Sequence, residues 1–185
     1  LPLMGTRVSA LAVAAGGDTP AARADAERAK AAGAAVEFGN DAVAPLMQAV
    51  GGSFDLCIAS PGIPEISDFF QSAKAASAEL ISEVEFAWRE SAEESTWVAI
   101  TGTNGKTTTT SLAAHLLADA GLAAHAVGNI GDACIARVAA GDTDVYVAEV
   151  SSFQLESTSR FAPNVAVLLN ITPDHVEWHG TLEAY

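Results

Sequence analysis

The side chains in this sequence with chemistry to offer are a lysine in a glycine loop, the threonines beside it, a carboxylate set in an apolar run and a histidine after a proline. Lys106 and Thr107 close the stretch Thr101-Gly102-Thr103-Asn104-Gly105-Lys106-Thr107-Thr108. Glycines let backbone N–H groups converge on an anion with no Cβ in the way, and a helix starting there adds its positive end. Lys106 supplies a full charge and Thr107 a hydroxyl suited to Mg²⁺. Residues Gly102 to Thr108 therefore read as a phosphate cradle for a nucleotide. The generic G-x-x-x-x-G-K-[ST] spacing would place a glycine at position 100, where Ile100 stands. Context carries the match instead: an apolar run precedes the loop, a helical pattern follows it, and Lys106 is the only lysine after residue 95.

Glu149 interrupts the apolar run Val145-Tyr146-Val147-Ala148-Glu149-Val150. An unpaired carboxylate is costly to bury, so a role beyond structure is expected, and Thr107 with Glu149 is the expected Mg²⁺ pair. His175 follows Pro173-Asp174 and could ligate a second ion or touch a transferring group, although imidazole is a less typical partner for Mg²⁺. On the residues alone it stands between a solvated loop histidine and a site residue. Asn129, flanked by Gly128 and Gly131, reads equally well as a turn residue. His115 and His125 read as structural and His179 stays undecided. Ser151-Ser152 lacks the G-x-S-x-G elbow of a serine hydrolase.

The elements that must position these groups alternate. Strands are expected over 8–13, 34–38, 54–59, 79–81, 96–100, 123–127, 144–150 and 165–170. Helices are expected over 20–32, 41–50, 67–78 and 82–93, after the glycine loop, and after the Gly128–Gly131 turn as far as Gly141. Thr19-Pro20 supplies a cap and a first-turn proline, and Ser82 with Glu85 a capping box. Gly16-Gly17-Asp18 reads as a turn. Strands alternating with helices predict an α/β protein with parallel sheets built from βαβ units. Ligand sites in such sheets gather at the carboxyl ends of the strands, where Lys106, Thr107, Glu149 and His175 all fall. The acidic stretch around Glu90, Glu93 and Glu94 places a domain boundary between residues 94 and 95.

Composition narrows the classes. A net charge of −14 and a pI near 4.4 exclude a sequence-independent nucleic-acid surface, which needs a basic stripe. No apolar run approaches the length of a bilayer span. Cys57 and Cys134 have neither C-x-x-C spacing nor companion histidines and read as buried free thiols in a reducing compartment. The segment Arg7–Ala15 superficially imitates a secretion signal but reads as a buried strand. Leu1-Pro2-Leu3-Met4 gives no start signal and is expected to continue from a longer chain.

Four strings in order resemble the Mur ligases, ATP-dependent amide-forming enzymes of peptidoglycan synthesis. They are Ala99-Ile-Thr-Gly-Thr-Asn-Gly-Lys-Thr107, Gly128-Asn-Ile-Gly131, Glu149-Val-Ser-Ser-Phe-Gln-Leu-Glu156 and Asn170-Ile-Thr-Pro-Asp-His175. The glycine loop alone is also similar to that of folylpolyglutamate synthases. The second and third strings, with Ser60-Pro-Gly-Ile-Pro64 upstream, resemble the branch that adds D-glutamate to UDP-N-acetylmuramoyl-L-alanine. The resemblance implies a Rossmann-like first domain (1–94) holding the UDP part of the substrate and a P-loop-type ATPase domain (95–185), with the amino-acid-binding domain lying beyond Tyr185. It further implies ATP and Mg²⁺ as cofactors, a cytoplasmic monomer, and no nucleic-acid or membrane partner. Carried over by position, Lys106 binds ATP phosphates, and Thr107, Glu149 and His175 serve magnesium. Asn129, Ser151 and His175 lie near the reacting end of the UDP-substrate, and Ser60, Pro61 and Gly62 beside the uridine. Such a chain alone is expected to be inactive. A sister ligase adding another amino acid, a nucleotide switch and a UDP-sugar binder are the competing readings.

Overall fold

The computed structural model describes residues 12–15 and 19–185. The opening segment, most of the first expected strand and the Gly16-Gly17-Asp18 turn lie outside the described residues. The rest divides into two compact units, and the division runs through two strands. One unit holds the described residues up to Cys57 together with Glu65–Leu80, and the other holds Ile58–Pro64 and Ile81–Tyr185.

In the first unit, β1 (Ala12–Ala15) pairs in parallel with β2 (Ala35–Phe38), from Ala12 opposite Ala35 to Ala15 opposite Phe38. Helix α1 (Pro20–Ala31) connects them. Its start follows from the sequence: Thr19 Oγ1 accepts the Ala22 N–H at 3.1 Å, and Pro20 occupies a position whose N–H would have no partner. Helix α2 (Val43–Val50) buries Val43 and Leu46, and Gly51 ends it in a left-handed conformation. β3 (Phe54–Ala59) and β4 (Ser77–Ser82) form a second two-stranded sheet, with α3 (Asp68–Ala75) between them in sequence and capped by Ser67. Among the described residues these strands form two separate pairs.

The second unit is built on β5 (Thr96–Thr101), β6 (Ala124–Gly128), β7 (Val145–Glu149) and β8 (Val165–Leu168), which form one four-stranded sheet in the order β6-β7-β5-β8. All its pairings are parallel. The chain enters at β5, steps outward through α5 (Lys106–Asp119) to β6, and returns through α6 (Cys134–Ala140) to β7. It then crosses β5 by way of the short α7 (Ser152–Glu156) to reach β8. That reversal opens a crevice at the carboxyl ends of β5, β7 and β8.

Side chains alternate across the sheet. Trp97, Tyr146, Ala148 and Val127 face a core shared with Val84, Ala87 and Cys134, while Ile100, Val145 and Val147 face Ala114 of α5. A parallel sheet covered on both faces produces the near-continuous apolar runs seen in β5 and β7. Trp97 stacks on Tyr146 with centroids 4.6 Å apart, and its indole N–H donates to Ser91 Oγ at 3.0 Å.

Helix α4 (Glu83–Glu90) belongs to this second compact unit, whose longer segment begins at Ile81. Glu85 is the reason. Its carboxylate, fully buried, accepts the Ser159 and Arg160 N–H groups, the Ser159 hydroxyl and the Arg89 guanidinium. Burial pushes this carboxyl up, but those bonds outweigh it and hold it below the usual range. The expected capping box is therefore half formed. Ser82 Oγ accepts the Glu85 N–H at 3.2 Å, whereas the Ser82 N–H goes to Ser157 O at 2.8 Å.

Candidate functional site

The glycine loop leaves β5 at Thr101 and enters α5 at Lys106. Gly102 has φ 139°, and a Cβ there would stand 3.0 Å from Asn170 O and 3.1 Å from Asn170 N. The glycine is required because the segment after β8 passes directly beneath the loop. Gly105 caps α5 in the left-handed region and offers no side-chain bond. Among the described residues, the N–H groups of Lys106, Thr107 and Thr108 have no backbone partner, which leaves the positive end of a 14-residue helix open to an anion. Lys106 Nζ arches back over the loop, donating to Gly102 O at 2.6 Å and Thr103 O at 3.1 Å. An ammonium has three protons, so one stays available.

The loop is held from below by residues that local pattern could not reveal. Asn170 Oδ1 accepts the Asn104 N–H at 2.9 Å, and Asn170 Nδ2 donates to Asn104 O at 2.9 Å. Asn170 O also accepts the Thr103 N–H at 3.0 Å. Thr103 Oγ1 accepts from the Thr172 N–H at 2.9 Å and lies 2.7 Å from the Tyr185 hydroxyl. Thr103 and Asn104, both expected to contact nucleotide, thus use their backbone N–H groups to fix the loop. Sequence analysis placed Asn170 at a strand end and at the head of the Asn170–His175 string without giving it a role, and Tyr185 carried no signal at all.

Glu149 ends β7 opposite Ile100 of β5 and Gly128 of β6, which puts its carboxylate at the crevice beside the loop's origin. It is 2% exposed. Its Oε1 accepts the Asn129 amide at 2.9 Å, its backbone O accepts the Asn129 N–H at 3.0 Å, and its Oε2 is buried with no protein partner. Asn129 is therefore more than a turn residue, since it orients the carboxylate. A buried carboxylate oxygen without a donor is a rare arrangement, and a hard cation answers it. Among the described residues no three His, Cys, Asp or Glu side chains gather as a metal cage. Mg²⁺ takes few protein ligands and fills its sphere with water and phosphate oxygens. Thr107, exposed on the first turn of α5, is the expected second ligand.

Behind this turn the Cys134 thiol is buried, where a Cβ on Gly128 would stand 3.5 Å from its Sγ. Burial pushes the thiol's pKa up and the neighbouring Glu83 carboxylate adds to it, so it stays protonated and inert. Burial likewise pushes Glu83 up, offset in part by the Ile135 N–H that its Oε1 accepts at 2.7 Å.

A cleft of about 100 Å³ opens beside the loop, lined among others by Gly102, Lys106, Ser151, Ser152, Asn170 and His175; Thr107, Asn129 and Glu149 are not among its lining residues. His175 sits at φ 52°, with Nε2 3.7 Å from Asp174 Oδ2 and its ring edge-on to Phe153 at 4.8 Å. Ser151 is the cap of α7 in a complete capping box. Its Oγ donates to Gln154 Oε1 at 3.0 Å and accepts the Gln154 N–H at 3.3 Å, so the hydroxyl is committed to the fold. Ser60, Pro61 and Gly62 form a tight turn closed by the Ile63 N–H on Ser60 O. They belong to the second unit but do not line this cleft.

A glycine loop feeding an open helix end, with a buried carboxylate on the neighbouring strand of a parallel sheet, defines a P-loop-type nucleotide-binding α/β protein. Residues 100–185 match the Mur ligase middle domain. The chain is 50% identical over 135 residues to a UDP-N-acetylmuramoylalanine--D-glutamate ligase of Alkaliphilus metalliredigens (strain QYMF), covering 72% of this chain and 29% of that protein. It is 46% identical over 125 residues to the protein of the same name from Cytophaga hutchinsonii, covering 68% and 28%. A solved structure, the UDP-N-acetylmuramate:L-alanyl-gamma-D-glutamyl-meso-diaminopimelate ligase from Neisseria meningitides, shares the fold with a TM-score of 0.52 and 20% identity, over 94% of this chain and 56% of that one. Residues 100–185 of the chain belong to the Mur ligase family. The chain spans less than a third of the length of the curated relatives it matches.

Proposed function

We propose that this chain serves an ATP-dependent ligase that joins D-glutamate to UDP-N-acetylmuramoyl-L-alanine through an acyl phosphate, in peptidoglycan precursor synthesis. The observation that carries the reading is the unpaired, buried Glu149 Oε2 at the sheet edge where the Lys106 loop begins. The names of the relatives support the choice of substrates.

A carboxylate does not react with an amine at neutral pH, so it must first gain a leaving group. In the proposed reaction an oxygen of the alanyl carboxylate bonds to the γ-phosphorus of ATP while the bond from that phosphorus to the β-phosphate oxygen breaks, releasing ADP. The amine of D-glutamate then attacks the acyl carbon, inorganic phosphate departs, and the amine's proton passes to solvent. Catalysis of this type is mainly positioning and charge neutralisation.

The open N–H groups at the start of α5 and the remaining Lys106 proton hold the phosphates. Thr107 and Glu149 would hold Mg²⁺, with Asn129 keeping the carboxylate aimed. The ion, when bound, neutralises phosphate charge. His175 and Ser151, both in the cleft wall, border the substrate's reacting end, where His175 contacts the reacting groups or a second ion; Asn129, hydrogen-bonded to Glu149, is assigned to the same end by the resemblance. The resemblance gives the UDP part to residues 1–94, with Ser60, Pro61 and Gly62 beside the uridine. We place the protein in the cytoplasm as a monomer; among the described residues no helix is long and apolar enough to cross a membrane.

The test follows Mg²⁺-dependent phosphate release by the complete protein with UDP-N-acetylmuramoyl-L-alanine while the amino acid is varied. Release that requires D-glutamate supports the reading, and Glu149→Ala should abolish it. Release with a different amino acid moves the protein to a sister ligase. Release independent of any UDP-sugar overturns the ligase reading.

A further inference from the structure

Ser152, not Ser151, offers the cleft a hydroxyl oxygen that the fold does not consume. It lines the cleft with Lys106 and His175. Its Oγ lies 2.9 Å from Nε2 of His179. That imidazole is 5% exposed, stacked on Phe153 with centroids 5.6 Å apart and tilted against Tyr185 at 5.5 Å. Its Nδ1 faces Glu156 Oε1 at 3.8 Å, and Glu156 Oε2 is occupied by the Trp178 indole N–H at 2.9 Å. The ring therefore has little freedom to turn.

A carboxylate facing Nδ1 favours the proton on that nitrogen. With the proton on Nδ1 alone, Nε2 carries a lone pair and accepts, and the Ser152 hydroxyl then points its hydrogen at His179. In that arrangement Ser152 turns toward the cleft an oxygen with lone pairs and no proton. Such an atom repels a carboxylate oxygen and binds an N–H.

We propose that Ser152 is a substrate-contact residue whose Oγ accepts a hydrogen bond from an amide N–H adjacent to the reacting carboxylate, and that His179, set by Glu156, is the positioning residue that makes Ser152 an acceptor. The inference rests on the ligase reading for the identity of the substrate, but the arrangement of the three side chains does not depend on it. It gives His179 a role that its sequence context left undecided, and it separates two adjacent serines by the direction of their hydroxyls.

The test uses the complete protein with UDP-substrate and ATP varied separately. Ser152→Ala should raise KM for the UDP-substrate about threefold to tenfold, the range of one neutral hydrogen bond, with KM for ATP unchanged. Ser152→Thr should restore the wild-type value. His179→Gln should shift KM in the same direction, and the double variant should be no worse than Ser152→Ala alone, since His179 acts through Ser152. Nitrogen-15 spectra of histidine-labelled protein should show His179 protonated at Nδ1 and bare at Nε2, and Glu156→Gln should weaken that preference.

An unchanged KM in Ser152→Ala, additive single effects or a proton on Nε2 would overturn the proposal. Wild-type protein that releases no phosphate with UDP-substrate and D-glutamate would sink the ligase reading and the substrate assigned to Ser152. In that case the histidine spectrum still decides whether the Glu156–His179–Ser152 arrangement holds.

Discussion

Gly128→Ala tests how the site carboxylate is held. Gly128 has φ 94°, and a Cβ there would meet the Glu149 carbonyl oxygen at 2.5 Å, nearly an ångström inside the 3.4 Å at which ordinary contact begins. The left-handed conformation alone costs a non-glycine residue about 1–2 kcal/mol. Forcing a methyl into packed backbone adds about 1–3 kcal/mol. The same carbonyl accepts the Asn129 N–H, so any shift that relieves the clash pulls on the residue that aims Glu149 Oε1. A total near 3 kcal/mol corresponds to roughly a hundredfold change in an opening equilibrium. The assay is amide hydrogen exchange by mass spectrometry on the complete protein, read on peptides covering β6 and β7. Gly121→Ala is the control: its φ is 90° but nothing lies within 4 Å of the added methyl. It should cost only the conformational part, roughly tenfold in exchange at the end of α5. Equal effects at the two positions, or wild-type exchange in Gly128→Ala, would refute the steric argument.

Glu85→Gln should destabilise the second unit by about 3 kcal/mol at pH 7, because it breaks a buried ion pair that also holds the 159–160 turn. Glu85 is depressed in the folded state, so its contribution is fully present above the unfolded carboxyl pKa of about 4.3 and is lost as pH falls through the folded value. Urea midpoints of wild type and variant should therefore converge below about pH 4, and a constant gap would contradict the assignment. Asn170→Ala removes both bonds to Asn104 and should weaken ATP binding about tenfold by loosening the loop, as measured by calorimetric titration. Lys106→Ala should abolish that binding signal at the same ATP concentrations. Cys134 should resist alkylation in the native protein at pH 8, whereas the partly exposed Cys57, whose thiol burial also pushes up, should react faster, as mass spectrometry of the labelled peptides would show.

What the sequence revealed and what it hid divide by range. The loop at Gly102–Thr108 was legible because each requirement is local: a strand before it, glycines where Cβ atoms would collide, a helix after it. Glu149 was legible because a carboxylate inside Val145–Val150 breaks an apolar run. The caps of α1 and α4 were legible for the same reason, through Thr19 and Ser82. The partners of these groups were not. Glu85 looked like half of a local capping box, yet its carboxylate serves a turn 74 residues away and draws α4 into the second unit. Asn129 could not be separated from an ordinary turn residue until β6 and β7 were placed side by side. Nothing in Ser151-Ser152 said which hydroxyl would be taken by Gln154 and which by His179. Periodicity reports burial, and it says little about which buried polar atom finds which partner.

The clamp beneath the loop carries a consequence for tolerance to mutation. Asn170 grips position 104 through that residue's backbone N–H and C=O, so the Asn104 side chain contributes nothing to the grip, while both ends of the Asn170 amide are used. In a saturation library, position 104 should accept many residue types able to hold the loop's backbone shape. Position 170 should accept almost none, because Asp lacks the donor and Gln overshoots by a methylene. The residue inside the glycine loop is the replaceable one, and the residue 66 positions away that grips it is fixed.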